Sequence, residues 1–173
     1  MKTPFVFVIS GVKNSGKTTM VERLIPVLSA RGLSVATVKH DGHDYDADVP
    51  GTDSYRHFAA GSIGTAIFSP TKFSLVKRQT GVTEEDMIKF FPEADVILLE
   101  GFKWTAYPKI EIVRNGNSKA PVCDPATVRA IASDFLTPET LPEEYAHIPV
   151  YSMDDYEALA EVISETRGQS PVL

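Results

Sequence analysis

The sequence predicts an α/β fold in which a mostly parallel sheet lies between two layers of helices and carries an inserted β-hairpin. Three observations predict it. The chain begins with a short apolar run, a glycine-rich stretch and an amphipathic segment, which is the order strand, loop, helix. Further apolar runs recur downstream, and their lack of alternation is typical of parallel strands that are buried on both faces. Two runs in the middle of the chain are separated only by a short turn, which indicates a hairpin.

The first elements have a βαβ pattern. Residues 4–9 are continuously apolar, β-branched and aromatic, and they predict a buried strand. From residue 18 onward the apolar residues fall at helical spacing, and Gly32 follows as the expected C-cap. Residues 33–38 predict a second strand. We expect the two strands to be parallel, because a strand–helix–strand crossover returns the chain in the same direction.

The middle of the chain predicts a loop, a short helix and the hairpin. Residues 39–53 are polar and acidic and contain a Pro-Gly pair, so they predict a loop. Ser54 is the expected N-cap of a helix that runs through residue 60. Residues 65–68 and 73–77 predict two strands joined across Ser69, Pro70 and Thr71.

The second half predicts four more strands and two helices. Thr83, with Asp86 three residues later, resembles a capping box ahead of a helix to residue 91. Residues 95–100, 109–113, 128–132 and 149–152 predict strands. Apolar residues at helical spacing from Tyr156 to Ile163 predict a C-terminal helix. No repeat and no break in composition marks a boundary, so we expect residues 1–173 to form a single domain.

The composition is that of a globular protein with an acidic balance. The 173 residues carry a formal net charge of −6, which argues against a broad nucleic-acid-binding face but allows a local phosphate pocket. The single cysteine, Cys123, cannot form an internal disulfide, and its turn offers no nearby histidine to activate it as a nucleophile. The first apolar run is too short for a signal-peptide core or a membrane span. We therefore expect a cytoplasmic protein with no nucleic-acid and no membrane partner.

The segment after the first strand fits a phosphate-binding loop at every fixed position: glycine, four residues, glycine, lysine, and serine or threonine. Its glycines let backbone amides approach an anion because no Cβ intervenes, and the following helix adds its positive end. We expect Lys17 to reach the β and γ phosphates and the Thr18 hydroxyl to complete a Mg²⁺ shell. The sequence thus predicts a P-loop NTPase-type, three-layer α/β/α domain that binds a nucleoside triphosphate. The binding residues are Gly11, Val12, Lys13, Asn14, Ser15, Gly16, Lys17, Thr18 and Thr19.

A second acid ends the apolar run at residues 95–100. In proteins with this loop, a carboxylate at such a strand end lies beside the triphosphate and orients Mg²⁺ or the attacking water. Glu100 is therefore the candidate catalytic partner of Lys17 and, with Thr18, a candidate Mg²⁺ ligand; the alternative is an ordinary solvent-facing acid. Lys103 either adds positive charge to the pocket or is a solvated loop lysine.

The loop after the second strand is rich in histidine and aspartate. Three interpretations stay open. Imidazole and carboxylate together suit a Zn²⁺, Mn²⁺ or Fe²⁺ site. A solvated acidic loop is the plainest interpretation. A substrate or Mg²⁺ loop is the third, because the segment leaves the carboxyl end of a strand, where open α/β sheets bind ligands, and it makes Asp46 a candidate Mg²⁺ ligand. The loop contains Lys39, His40, Asp41, His43, Asp44, Asp46 and Asp48, and Asp53, Ser54 and Arg56 follow it.

Taken together, these segments resemble the molybdopterin-guanine dinucleotide biosynthesis protein B (adapter) family, of the SIMIBI class of P-loop proteins. The phosphate-loop string alone is shared by many proteins. The Lys-His-x-x-His loop with Pro-Gly-x-Asp-Ser, followed by Glu-Gly-Phe-Lys, is far more selective. The matching stretches are residues 10–19, 38–43, 48–54, 59–61, 98–103 and 130–134, in order over most of the chain.

The resemblance implies a GTP-binding protein with weak Mg²⁺-dependent hydrolysis that works as a homodimer. Its implied partners are the molybdopterin guanylyltransferase that joins GMP to molybdopterin, and the molybdopterin cofactor itself. Residues 11–18 carry over as phosphate-binding and Glu100 as the second acid. His40, His43, Asp46 and Asp53 carry over as family motif residues without an assigned role.

Guanine itself is predicted only by the resemblance. The sequence contains no Asn-Lys-x-Asp string, the usual guanine reader. Asp134, which follows the strand at 128–132, either accepts hydrogen bonds from the guanine edge or is a solvated strand-end acid.

Two other functions stay open. A small-molecule kinase would need a lid with Arg or Lys over the phosphates, for which Arg56, Lys72, Lys77 and Arg78 are candidates. A metal-delivery GTPase would depend on the histidine loop. The hairpin would expose an edge unless it pairs with another surface, which is consistent with a dimer.

Overall fold

The computed structural model describes residues 3–43 and 45–169, and the chain divides into two compact units. The first unit comprises Met1–His40 and Glu84–Leu173, and the second comprises Asp41–Thr83. Neither boundary coincides with a change in composition, which is why the sequence alone predicts one domain. A single nucleotide-binding domain over residues 1–173 stays a prediction.

The elements follow one another in the predicted order. Two short 3₁₀ turns, Pro138–Thr140 and Glu143–Tyr145, precede the last strand. The described strands are β1 (Phe5–Gly11), β2 (Val35–Lys39), β3 (Gly64–Phe68), β4 (Phe73–Lys77), β5 (Val96–Glu100), β6 (Lys109–Val113), β7 (Val128–Ser133) and β8 (Val150–Ser152). The described α-helices are α1 (Lys17–Ala30), α2 (Asp53–Ala59), α3 (Glu84–Ile88) and α4 (Tyr156–Gln169).

The first unit is built on a parallel sheet with the strand order β2-β5-β1-β6-β7-β8. In its centre β1 pairs with β5, so that Ile9 lies beside Glu100. The outer strand β2 pairs with the other side of β5 and sets Lys39 beside the same Glu100. The carboxyl ends of β1, β2 and β5 therefore meet at one edge of the sheet, where open α/β sheets bind ligands.

Both faces of this sheet are buried, because alternate residues of each strand enter opposite layers. In β1, Phe7 packs with residues of α1 and α4, whereas its neighbour Val8 packs in a separate cluster on the other face, against which α3 also packs. In β5 the same alternation separates Leu98 from Leu99. The prediction of a three-layer α/β fold with a mostly parallel sheet is confirmed.

Helix α1 has the C-terminus that the sequence predicts. Gly32 adopts the left-handed conformation with φ +80°. The amides of Gly32 and Leu33 donate to the carbonyl oxygens of Ser29 and Leu28 at 3.0 and 3.2 Å. This pair of bonds is a Schellman motif, which satisfies two of the free carbonyls at the helix end.

Strand β6 carries an acid and a base that are both removed from solvent. The Lys109 ammonium donates to the carbonyl oxygens of Lys103 and Thr105 at 3.2 and 2.6 Å. The two carboxylate oxygens of Glu111 accept the amides of Val122 and Cys123 at 2.6 and 3.0 Å. Burial lowers the pKa of Lys109, although nearby anionic groups oppose the shift. Each buried charge is thus stabilised by main-chain groups of a loop.

The second unit contains α2 and the predicted hairpin. Strands β3 and β4 pair antiparallel, with Gly64 opposite Lys77 and Phe68 opposite Phe73, which confirms the hairpin. Several large apolar side chains of this unit are exposed. The most exposed are Phe68 (83%), Ile63 (80%), Tyr45 (71%) and Phe73 (70%).

Two helix boundaries differ from the sequence prediction. Helix α2 begins at Asp53 and is capped by Thr52, whose hydroxyl accepts the amide of Tyr55 at 3.4 Å, so the cap is not Ser54. Ser54 instead lies buried in the first turn. Helix α3 ends at Ile88, short of residue 91, because the chain tightens there into turns whose amides bond three residues back.

Candidate functional site

The segment between β1 and α1, here called the glycine loop (residues 11–18), has the backbone of an anion cradle. Gly11, Asn14 and Gly16 have positive φ values of 142°, 62° and 100°. Within the described chain, the amides of Lys13, Asn14, Gly16 and Lys17 have no hydrogen-bond acceptor. Successive free amides of this kind, at the start of a helix, attract an anion.

The first glycine of this loop is sterically required. A Cβ at Gly11 would lie 2.6 Å from the Oγ of Ser15 and 2.7 Å from the carbonyl oxygen of Ile112. Ser15 is fully buried, and its Oγ has no hydrogen-bond partner in the described chain. An unpartnered buried hydroxyl is uncommon in proteins, and this one lies directly against the first glycine of the loop.

Lys17 folds back over the loop that precedes it. Its ammonium donates to the carbonyl oxygens of Gly11 and Val12 at 3.1 and 2.7 Å. Burial lowers the pKa of this ammonium; Glu100 opposes the shift, and the positive charges of Lys103 and Lys39 add to it. The site therefore has more positive than negative charge around Lys17, which favours binding of a polyanion.

Thr18 and Glu100, predicted as partners from separate stretches of sequence, are in direct contact. The Thr18 hydroxyl donates to Oε1 of Glu100 at 2.7 Å. Glu100 is only 8% exposed. A hydroxyl and a carboxylate are hard oxygen ligands, so this pair fits Mg²⁺, with phosphate oxygens and water completing the shell. We find Lys39 here as well, 3.3 Å from the same Oε1, which the sequence analysis did not single out.

Asp134 lies at a cavity of about 450 Å³ at the carboxyl ends of β7 and β8. Its Oδ1 accepts the amide of Asn115 at 2.7 Å, which fixes the orientation of the carboxylate. The residue that follows β8, Met153, lies beside the glycine loop, since a Cβ at Gly16 would be 3.6 Å from its Cε. The cavity lining consists of Ser133, Asp134, Phe135, Leu136, Thr137, Pro138, Val150, Tyr151 and Ser152.

Two polar residues that follow β6 also approach the glycine loop. Nη1 of Arg114 would lie 4.0 Å from a Cβ at Gly16, and Nδ2 of Asn117 donates to the carbonyl oxygen of Lys13 at 2.9 Å. Neither residue is a candidate by sequence. The only signal for Arg114 is a cation directly after an apolar strand, which is common on protein surfaces, and Asn117 has no such signal.

The histidine and aspartate loop is divided between the two units. His40 ends the first segment of the first unit, with its ring 5.6 Å from the ring of Phe102. Asp46 and Asp53 are exposed residues of the second unit, and Asp44 lies outside the described residues. The role of Asp46 as a Mg²⁺ ligand stays a prediction. Over residues 3–43 and 45–169, no three His, Cys, Asp or Glu side chains form a group that could hold a metal ion.

Asp48 has a local structural role in the second unit. A hydrogen bond from the Ser54 hydroxyl is the main reason its pKa is lowered, and the Val49 amide and the Thr52 hydroxyl contribute to the same shift. Three groups at or just before the start of α2 therefore hydrogen-bond to the carboxylate of Asp48. Part of the acidic loop is therefore explained by helix capping.

Three of the four candidate lid residues of a kinase make side-chain contacts within the second unit. The Arg78 guanidinium lies 3.9 Å from the ring centroid of Phe58 and donates to the carbonyl oxygens of Phe58 and Ser62. Lys77 donates to Oε1 of Gln79 at 2.7 Å. Arg56 pairs with Asp53 at 3.8 Å.

Cys123 is unsuited to nucleophilic chemistry, as the sequence predicts. Its Sγ lies 3.2 Å from the Oγ of Ser10 in the interior. Burial raises the pKa of the thiol to about 12, so the reactive thiolate is scarce at neutral pH. No helix of the described chain is long and apolar enough to cross a membrane.

Comparison with protein families gives a match over most of the chain. The family described as molybdopterin guanine dinucleotide synthesis protein B matches residues 6–134. The molybdopterin-guanine dinucleotide biosynthesis adapter protein of Escherichia coli is 35% identical over 160 residues, which is 87% of this chain and 86% of that protein. The probable adapter protein of Bacillus subtilis is 32% identical over 171 residues, 96% of each chain.

Solved structures agree with this family at the level of the fold. The crystal structure of MobB from Bacillus subtilis superposes with a TM-score of 0.69 at 30% identity, over 94% of this chain and 97% of that one. A MobB homologue from Bacillus stearothermophilus gives a TM-score of 0.67 at 21% identity, over 95% and 99% of the two chains.

Proposed function

This chain belongs to the molybdopterin guanine dinucleotide synthesis protein B family, and from that premise we propose that it is a GTP-binding adapter in the synthesis of molybdopterin guanine dinucleotide. In this proposal it binds GTP with Mg²⁺, hydrolyses it slowly, and assists the guanylyltransferase that joins GMP to molybdopterin. The observation that carries the nucleotide part is the contact between Thr18 and Glu100 at the mouth of the glycine loop.

The glycine loop supplies the binding of the phosphates. Its free amides would donate to phosphate oxygens, and the Lys17 ammonium would exchange the carbonyl oxygens of Gly11 and Val12 for the β and γ phosphates. Several negative charges would then face Lys17, whose pKa burial lowers, and would stabilise its charged form.

Thr18 and Glu100 are the residues that would hold Mg²⁺. The ion would neutralise charge that develops on the phosphates during hydrolysis. Glu100 would orient the attacking water or an ion-bound water, and its burial supports such a positioned role over that of a solvent-facing acid.

The cavity at Asp134 is the proposed base site. Guanine presents two adjacent N–H donors on one edge, whereas adenine presents a donor next to an acceptor, so a carboxylate favours guanine. The amide of Asn115 already occupies Oδ1 of Asp134 and leaves the other oxygen for the base.

The second unit is the proposed assembly surface. Its exposed Phe68 and Phe73 are paired across the two strands at the end of the hairpin. Burying two such rings against another protein surface would lower the free energy of the assembly. We propose a homodimer that uses this hairpin, with the guanylyltransferase and its molybdopterin as partners of the assembled protein. We also propose the cytoplasm as its compartment, where GTP is available and a free thiol persists.

Titration calorimetry with GTP and with ATP, each with Mg²⁺, tests the proposal. We expect GTP to bind at least about tenfold more tightly, since a hydrogen bond to a charged carboxylate contributes roughly 1.5–3 kcal/mol. Asp134→Asn keeps an oxygen for the Asn115 amide but turns an NH2 donor towards the N–H donors of guanine, so it should weaken GTP binding without weakening ATP binding. Equal affinities for the two nucleotides in the wild-type protein would overturn the guanine assignment.

A further inference from the structure

Glu100 already has a cation beside it, and that cation belongs to the protein. Lys39 ends β2 and lies opposite Glu100 in the register of β2 and β5. Its Nζ is 3.3 Å from Oε1 of Glu100. The Thr18 hydroxyl donates to that same oxygen at 2.7 Å. One carboxylate oxygen therefore contacts both a proposed Mg²⁺ ligand and a lysine ammonium.

The two members of this ion pair differ in their freedom to move. The Glu100 side chain is 11% exposed, whereas the Lys39 side chain is 57% exposed. Glu100 is held by its buried strand and by Thr18, but the lysine reaches the carboxylate on a long side chain from the solvent side. Breaking the pair therefore requires only that Lys39 move, because the carboxylate can stay in place.

A lysine ammonium and a divalent cation cannot both occupy the contact position of one carboxylate oxygen. Like charges at such a separation repel strongly when the surroundings are partly buried. The ammonium must leave when an ion binds there. The binding free energy of the ion then includes the loss of the Lys39–Glu100 pair.

We propose that Lys39 is the counter-ion of Glu100 in the nucleotide-free protein and that Mg²⁺ must displace it, so that Lys39 sets the Mg²⁺ concentration at which the site fills. This inference rests on the proposed function, since it needs Mg²⁺ at Glu100. It adds a role for Lys39 in the regulation of that site: the lysine stabilises the metal-free state and weakens Mg²⁺ binding.

Lys103 provides a matched control. It carries the same charge, and its charge acts on Lys17 as that of Lys39 does. Its Nζ, however, lies 4.8 Å from the ring centroid of Trp104 rather than on Glu100. Replacing either lysine with methionine removes one positive charge from the same neighbourhood, but only Lys39→Met removes the ion pair.

The experiment measures Mg²⁺ binding and metal-free stability in the same variants. Wild-type protein, Lys39→Met and Lys103→Met are each mixed with a fluorescent GTP analogue and titrated with Mg²⁺, and the half-saturating concentration is recorded. We expect Lys39→Met to lower that concentration about tenfold and Lys103→Met to change it less than about twofold. In EDTA without nucleotide, Lys39→Met should also have a lower melting temperature than Lys103→Met, because Glu100 has lost its counter-ion.

Three outcomes would overturn the inference: an unchanged Mg²⁺ midpoint in Lys39→Met, a higher midpoint in that variant, or equal shifts in both variants. An equal shift would mean that only general charge matters. If the wild-type protein binds no nucleotide, the proposed function and this inference fail together. Normal nucleotide binding with any of the three outcomes overturns the role of Lys39 alone.

Discussion

The two compact units use their apolar residues in opposite ways. In β5 of the first unit all five residues are buried, whereas in β4 of the second unit four of the five are exposed. Packing on both faces holds the parallel sheet in place. The glycine loop is held at both ends, because it joins the central strand β1 to the packed helix α1. The hairpin keeps large apolar side chains on the surface of its own unit. Substitutions in the first unit should therefore lower folding stability or ligand binding, and substitutions on the hairpin should affect assembly.

The largest effect is expected at Gly11. In Gly11→Ala the new Cβ would collide with Ser15 Oγ and the Ile112 carbonyl oxygen, and the positive φ adds strain. We expect the free energy of unfolding to fall by about 3 kcal/mol, measured by urea denaturation. Gly32→Ala is the control, because Gly32 also has a positive φ but has open space around it, and it should lose only about 1 kcal/mol. Equal losses would show that the glycine loop is not tightly packed.

Lys17→Ala should separate binding from folding. Loss of the ammonium should weaken triphosphate binding at least about 100-fold, close to 2.7 kcal/mol, while the circular dichroism spectrum stays that of the wild type. Lys89→Ala, which removes an exposed lysine of the first unit, should leave the affinity unchanged. Normal nucleotide affinity in a folded Lys17→Ala protein would refute the phosphate site.

Glu100→Gln tests the acid that the buried strand presents. Glutamine keeps an oxygen for the Thr18 hydroxyl but has no charge, so GTP hydrolysis should slow about tenfold, or roughly 1.4 kcal/mol in the barrier. Nucleotide affinity at saturating Mg²⁺ should change much less. The two quantities come from single-turnover hydrolysis and titration calorimetry. If turnover is unaffected, Glu100 is not the second catalytic residue.

The smallest effect on folding is expected on the hairpin. The double substitution Phe68→Ser and Phe73→Ser should change the unfolding free energy of the protomer by no more than about 0.5 kcal/mol, yet shift a dimer to monomer in sedimentation velocity. Phe90→Ser, at an exposed phenylalanine of the first unit, should leave the dimer intact. A wild-type protein that sediments as a monomer at micromolar concentration would contradict the proposed assembly.

Local sequence was enough to predict the parts of the molecule that depend on neighbours in the chain. The glycine loop follows from a string of eight residues between a strand and a helix. The C-cap at Gly32 follows from one glycine after an apolar pattern. The hairpin follows from two short, mainly apolar runs and the turn between them. In each case the residues that determine the structure are close in sequence, so no knowledge of strand order is needed.

The residues missed by the sequence analysis depend on strand order. Lys39 contacts Glu100 only because β2 pairs with β5. The spacing of residues in the sequence does not predict which strands pair. Arg114 approaches Gly16 only because β6 lies beside β1. The cap of α2 was missed for a different reason. Ser54 and Thr52 both have a hydroxyl that can cap a helix, with serine the more favoured type, and the contact of Thr52 with the Tyr55 amide decides between them.

The buried lysine and glutamate of β6 have a consequence for how this protein tolerates mutation. Lys109 binds its loop through the carbonyl oxygens of residues 103 and 105, and Glu111 binds its loop through the amides of residues 122 and 123. Every amino acid has a carbonyl oxygen, and every one except proline has an amide hydrogen. Substitutions in either loop can therefore change its side chains without removing the main-chain hydrogen bonds to Lys109 and Glu111. The surface formed by these two loops can vary in sequence while β6 keeps the same partners.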